Sequence, residues 1–251
     1  MIRRSIGCVL AAALSAVPAV ASDGTITVCA AASVREAFFE IGRTLEAAAP
    51  EVKMAFHFAA SGQLVQQIAH GAPCDVLATA DPDSMDRAVR DGRVVPGTWA
   101  TFASNQLVLV VPAKGSSSIG GLDDLARAEG VRIALGTPES VPAGLYAKEA
   151  LQLAGRWGML KDRCVFGENV RQVLDYVARG EAEAGFVYST DARLMPDRVR
   201  VIGPVKTKRP ILYAIALIEG GGNEQGGRRF VEAVRSESGG RVLGRYGFGA
   251  P

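Results

Sequence analysis

The sequence is short of the groups that most enzymes use for chemistry. It contains two histidines and four cysteines, with no Cys-x-x-Cys pair, which argues against a metal centre. It has no G-x-S-x-G elbow, no H-E-x-x-H helix, no Walker A loop and no G-x-G-x-x-G turn. Charge of one sign is also missing. There are 28 basic and 26 acidic residues, a formal net charge of +2, so the clustered basic face that nucleic acid requires is absent. Beyond the N-terminus, no apolar run approaches the ~18 residues that span a bilayer. The 29 glycines and 12 prolines follow no fixed period, which excludes collagen-like and repeat architectures. An apolar share of 48% with balanced charge excludes low-complexity disorder. The 251 residues suffice for one large domain or two lobes.

The first 21 residues have the layout of a secretory leader. Arg3 and Arg4 form a positive start, 6–17 is an apolar core of leader length, and Ala19-Val20-Ala21 is an A-x-A cleavage site before Ser22. Cleavage removes two of the 28 basic residues and no acidic ones, leaving 26 against 26 and a mature net charge of zero. The expected location is the periplasm, and whatever the mature chain binds is not drawn in by bulk charge. Cys8 leaves with the leader. Cys29, Cys74 and Cys164 remain, so at most one disulfide can form, and buried free thiols are expected.

Strand and helix patterns alternate along the rest. Residues 26–30 form an apolar strand, and Val34, Ala37, Phe38, Ile41, Leu45 and Ala48 then recur at helical spacing. Residues 52–58 alternate at period two, a helix opens at Ser61, 75–80 is a third strand, and Asp81-Pro82 starts another helix. A second run follows: strands at 107–111, 133–136, 184–188, 199–202 and 211–218, with helices at 143–154, 170–178 and around 230–234. The expected fold is α/β and two-lobed, each lobe a mixed, mostly parallel sheet flanked by helices. The extended segments 106–113 and 211–218 are expected to join the lobes as hinge strands. That divides the chain into 22–110 with 214–251, and 111–213.

Small, uncharged residues recur where helices begin. Ala31-Ala32-Ser33, Ala59-Ala60-Ser61-Gly62, Val141-Pro142-Ala143-Gly144 and Glu168-Asn169-Val170 each precede or open a helix, and Tyr188 ends a strand. Open α/β sheets bind ligands at such strand-to-helix turns. A helix start carries unpaired N–H groups and the positive end of the dipole, which favours an anion. One such start alone is an ordinary cap. Four on two lobes, with Tyr188, point to a shared cleft. His57 and His70 are expected to be structural or solvent-facing. Asp75, Asp81 and Asp83 are expected to be caps and turn formers.

Several of these segments carry a resemblance. Ala30-Ala31-Ala32-Ser33, Phe58-Ala59-Ala60-Ser61, Gly71-Ala72-Pro73-Cys74-Asp75-Val76, Val141-Pro142-Ala143-Gly144-Leu145-Tyr146-Ala147-Lys148-Glu149-Ala150 and Glu168-Asn169-Val170-Arg171 resemble the molybdate-binding proteins of bacterial ABC importers. So do Gly185-Phe186-Val187-Tyr188-Ser189-Thr190-Asp191-Ala192 and Arg245-Tyr246-Gly247-Phe248, and the match runs in order over nearly all of 24–248. The resemblance implies a two-lobed fold of the periplasmic-binding-protein type and a tetrahedral dianion, molybdate and also tungstate, held by Ser33, Ser61, Ala143, Val170 and Tyr188. The serines and Tyr188 would give hydroxyls, and Ala143 and Val170 only their N–H groups. Molybdenum would enter only as its oxyanion. The resemblance also implies no cofactor, no catalysis, and a membrane permease as partner; a monomer is expected.

Other readings stay open at this point. One is a binding protein for sulfate or another tetrahedral oxyanion. A second is a secreted hydrolase using Ser33 or Ser61 as nucleophile, for which no credible base is visible. A third is a sensor domain that reports ligand without transport.

Overall fold

A computed structural model describes residues 24–115 and 117–251. The leader expected over 1–21, its cleavage site and Cys8 lie outside these residues.

The chain forms two five-stranded sheets. The first is built from β1 (Thr25–Ala31), β2 (Lys53–Ala59), β3 (Val76–Thr79), β4 (Ala100–Asn105) and β10 (Ile211–Leu217), in the order β2-β1-β3-β10-β4. The second holds β5 (Leu107–Pro112), β6 (Ile133–Gly136), β7 (Cys164–Gly167), β8 (Ala184–Tyr188) and β9 (Val199–Pro204), in the order β7-β6-β8-β5-β9. The two orders are equivalent: three parallel strands, then one strand running the other way (β10 or β5), then an edge strand that runs with the first three. Each sheet has two parallel and two antiparallel pairings, and four of its five strands run in the same direction, the mixed, mostly parallel arrangement expected. The reversed strands are the ones that follow a change of sheet: β5 opens the second sheet and β10 returns to the first.

Helices cover the sheets. Those of the first lobe are α1 (Arg35–Ala48), α2 (Ser61–Ala69), α3 (Pro82–Arg90), α9 (Glu224–Arg235) and α10 (Glu237–Arg245). Those of the second are α4 (Leu122–Arg127), α5 (Pro142–Leu153), α6 (Trp157–Leu160), α7 (Val170–Ala178) and α8 (Ser189–Ala192). The apolar spacing read from the sequence explains the burial. Ala37, Phe38 and Ile41 of α1 are buried, and Phe38 packs on Phe102 and edge-on against Phe230 of α9. Among the described residues no helix is long and apolar enough to cross a membrane.

The chain passes between sheets at Gln106, which separates β4 from β5, and at 205–210, between β9 and β10. The extended segments 106–113 and 211–218 begin at these links, and their strands then pair within one sheet each.

Two expectations about acidic residues are corrected. Asp75 is not a cap: its Oδ2 accepts the Thr27 N–H at 2.7 Å and its Oδ1 the Asn223 N–H at 2.7 Å, which ties β1 to the start of α9. Asp83 forms an ion pair with Arg209 at 2.6 Å. Asp81 does sit at the N-cap of α3, but without a side-chain capping bond. Cys29 and Cys74 are buried free thiols, and Cys164 is a half-buried one.

Candidate functional site

Ser33, Ser61, Ala143, Val170 and Tyr188 line one cavity between the lobes, together with Ala31, Ala32, Ala59, Ala80, Val141, Pro142 and Asn169. The first lobe contributes the turn after β1 and the start of α2. The second contributes the starts of α5 and α7 and the end of β8. The cavity measures about 10 Å³, on a scale where a single water needs ~10–15 Å³. Such a space admits a compact ligand of a few heavy atoms once the lobes yield slightly. It does not admit a sugar or a peptide.

Local hydrogen bonding decides which donors remain available. At α5 the first helical residue is Pro142, which has no N–H. The N–H groups of Gly144 and Leu145 both donate to the Val141 carbonyl, at 2.9 and 3.1 Å. Ala143 is left as the free donor of that turn. At α7 the Asn169 Oδ1 accepts from Arg171 and Gln172, at 3.0 and 3.1 Å, and the Val173 N–H donates to the Asn169 carbonyl at 3.3 Å. Val170 is left. A normal helix start presents about four unpaired N–H groups. Here local bonds and Pro142 leave one at each start, on a residue that lines the cavity.

The hydroxyls are arranged on the same principle. Ser61 does not cap its helix: its Oγ accepts the Ala80 N–H at 2.9 Å, so its hydrogen is free for the cavity. Ser33 Oγ lies 2.9 Å from the Tyr213 hydroxyl. Tyr188 is fully buried and its hydroxyl is one of the few buried polar atoms without a partner among the described residues. An unpaired buried hydroxyl costs about 1–3 kcal/mol, so its retention implies a ligand that pays this back. Burial raises the Tyr188 pKa well above its usual value, so the group stays a neutral donor.

Among the described residues no cation lines the cavity. Arg171 is nearest in sequence, but its Nε binds Asp191 at 2.6 Å, its Nη2 binds Glu36 at 2.6 Å, and the same Nη2 donates to the Ser33 carbonyl at 3.2 Å. Two carboxylates more than balance its charge. The stabilisation on offer is therefore dipolar, supplied by backbone N–H groups and neutral hydroxyls, which suits an ionised oxygen.

The structure brings the five residues expected from the sequence to one cavity, and sequence reading missed the residues that support them. Tyr213, Asn105, Ala80, Arg171 and Gly62 all act on the site from behind. Arg171 and Gly62 stand directly after Val170 and Ser61, a signal of adjacency that is available without coordinates. Tyr213 and Asn105 are distant in sequence from Ser33 and gave no such sign.

Two mixed sheets facing each other across a donor-lined cleft define a solute-binding protein. The chain belongs to the family described as bacterial extracellular solute-binding protein, which matches residues 26–249. It is 37% identical over 228 residues to the putative ABC transporter substrate-binding lipoprotein YvgL of Bacillus subtilis, covering 90% of this chain and 86% of that one. It is 33% identical over 237 residues to the molybdate-binding protein ModA of Haemophilus influenzae, covering 92% of each. The substrate-binding domain of a putative molybdenum ABC transporter from Clostridium difficile superposes with a TM-score of 0.68 at 34% identity, covering 90% of this chain and 99% of that one.

These relatives are transporter substrate-binding proteins, not enzymes, and the hydrolase reading of Ser33 or Ser61 is set aside. The histidines are engaged elsewhere in keeping with this: His57 pairs with Gln67 at 2.9 Å and His70 Nδ1 with the Gln66 carbonyl at 2.8 Å.

Proposed function

We propose that this protein captures molybdate, and tungstate equally, in the cleft between its lobes and delivers it to the permease of an ABC importer. Ser33, Ser61 and Tyr188 donate hydroxyls, and Ala143 and Val170 donate N–H groups. The mature chain works as a monomer outside the cytoplasm after loss of its leader. Closure about the links at Gln106 and 205–210 brings together on the ligand the lobe that carries β1–β4 and β10 and the lobe that carries β5–β9.

The observation that carries this reading is the leftover-donor pattern. The starts of α5 and α7 each keep one free N–H, and the hydroxyls of Ser61 and Tyr188 each have a hydrogen left over. A shell of donors without acceptors favours a fully ionised oxyanion and penalises one that carries a proton. The small cavity limits the ligand to a compact ion. Sulfate meets the charge requirement but is smaller than molybdate and would close fewer of the donor distances.

Calorimetric titration of the mature protein with molybdate, tungstate, sulfate and phosphate tests this. The expected result is tight one-to-one binding of the first two, with sulfate and phosphate much weaker. Sulfate binding tighter than molybdate would transfer the protein to the sulfate class. Folded protein that binds none of the four would overturn the reading altogether.

A further inference from the structure

Behind Ser33 lies a short chain of hydrogen bonds, running from the half-buried Asn105 to the buried Ser33–Tyr213 pair, whose direction can be worked out. It starts at Asn105, the last residue of β4, beside the link between lobes. The Asn105 Oδ1 accepts the Gln106 N–H at 2.8 Å and the Ser189 hydroxyl at 3.1 Å. A backbone N–H can only donate, so this end of the amide is the oxygen. The other end is the NH2 group, and it donates to Thr190 Oγ1 at 2.9 Å and to the Tyr213 hydroxyl at 3.2 Å.

The Tyr213 oxygen is thus an acceptor toward Asn105. Tyr213 is fully buried, and its one other hydrogen-bond partner among the described residues is Ser33 Oγ at 2.9 Å. The phenol has a single hydrogen. Unless it goes to Ser33 it is left unpaired in the core, at a cost of about 1–3 kcal/mol. Burial keeps the Tyr213 pKa well above its usual value, so that hydrogen is present. Ser33 Oγ then accepts from Tyr213 and sends its own hydrogen into the cleft.

We propose that Tyr213 and Asn105 are specificity-determining positioning residues, which lock the Ser33 hydroxyl as a donor so that the site takes a fully deprotonated oxyanion and rejects a protonated one. The inference rests on the oxyanion-binding reading above. Without the relay a serine hydroxyl is amphoteric: it can turn its lone pairs to the ligand and accept a hydrogen from it. With the relay that rotamer would set the Ser33 and Tyr213 hydrogens against each other. The direction is imposed from the link between lobes, since Asn105 is also bonded to Ser189 and Thr190 of the second lobe.

The test is a double-mutant cycle with Tyr213→Phe and Ser33→Ala, read by titration with molybdate and, in competition, with inorganic phosphate at slightly acid pH, where phosphate still carries protons. Tyr213→Phe should weaken molybdate about tenfold, the equivalent of one lost charged-group hydrogen bond. In the Ser33→Ala background the same change should alter molybdate binding by less than about threefold, because the hydroxyl it orders is gone. The molybdate-to-phosphate preference should fall in Tyr213→Phe and fall again as the pH is lowered.

Effects that multiply in the double variant, or an equal weakening of both anions, would overturn the relay. Should Tyr213→Phe fail to fold, Asn105→Ala removes the donor that orders Tyr213 and should lower the same preference; an unchanged preference there would count equally against the proposal. Wild-type protein that does not bind molybdate would remove the underlying reading, whereas wild-type binding with independent effects would remove the relay alone.

Discussion

The backbone N–H of Gly62 donates to the carbonyl of Ser140 at 2.9 Å, joining the first turn of α2 in one lobe to the loop before α5 in the other. A side chain at position 62 would place its Cβ 2.8 Å from both Cα and O of Ser140. Real Cβ atoms do not approach backbone so closely. The absence of a side chain at Gly62 is thus what lets the lobes meet beside Ser61.

Gly62→Ala should leave each lobe folded and hold the two apart. The predicted outcome is molybdate affinity reduced by roughly tenfold or more, with a larger radius of gyration for the ligand-saturated protein in small-angle scattering. The unfolding midpoint without ligand should change little. Wild-type affinity in the variant would show that the approach of Gly62 to Ser140 is not needed for binding.

The donors themselves differ in how they can be removed. Ser61→Ala and Ser33→Ala each delete a hydroxyl facing the ligand and should cost about 1–3 kcal/mol of binding free energy. Ala143 acts through its backbone, so Ala143→Gly should be nearly silent. Ala143→Pro removes the N–H and should weaken binding by a similar amount, with folding checked by circular dichroism. Proline is sterically tolerated in the first turn of a helix, which makes it a fair probe here. Equal affinities for the Gly and Pro variants would contradict a backbone role.

Much of this site is legible in the sequence because its donors are local features. A strand, a small-residue turn and a helix start identify Ser33 and Ser61 without any tertiary knowledge. The Pro142-Ala143 and Asn169-Val170 pairs even show which N–H remains, once the rules of helix starts are applied to them. The framework was less visible. Strands β4 and β7 and helices α4 and α10 are short or glycine-bearing, and their apolar periodicity is too brief to stand out. The roles of Tyr213 and Asn105 depend on β10 and β4 pairing in the first sheet, a contact between positions more than 100 residues apart. No local pattern encodes such a meeting.

Arg171 is predicted to matter more for stability than for contact with ligand. The Asp191 side chain is fully shielded from solvent, and Arg171 is its charged partner at 2.6 Å. Arg171→Met leaves that carboxylate buried without its cation and should destabilise the fold by about 3 kcal/mol, the lower end for breaking a buried pair because Arg171 itself retains some exposure. Adding Asp191→Asn should restore most of the loss. Denaturant unfolding of the two variants checks both statements, and a loss below about 1 kcal/mol in Arg171→Met would show the pair to be incidental.

Asp81 sets an expected pH dependence. Its carboxyl is raised to about 6, chiefly by burial, with the nearby Asp83 charge acting in the same direction and bonds from Ser84 opposing both. A carboxyl whose folded-state pKa lies above its unfolded value favours the native state when protonated. That contribution is complete below about pH 4 and is lost as the pH rises through about 6. Asp81→Asn keeps the shape and removes the titration. The variant should therefore gain on the wild type as the pH rises from 4 to 7, by about 1–3 kcal/mol. Binding follows the same sign. Asp81 adjoins Ala80, which lines the cavity, and its charge acts on Tyr188. A bound dianion should push the carboxyl higher still, so that complex formation between about pH 6 and 7 takes up a proton. Calorimetry in buffers of differing ionisation enthalpy measures that uptake directly. It should be positive in the wild type and smaller in Asp81→Asn, the remainder coming from Asp191, whose carboxyl burial also raises to about 6, and proton release in the wild type would reverse the argument.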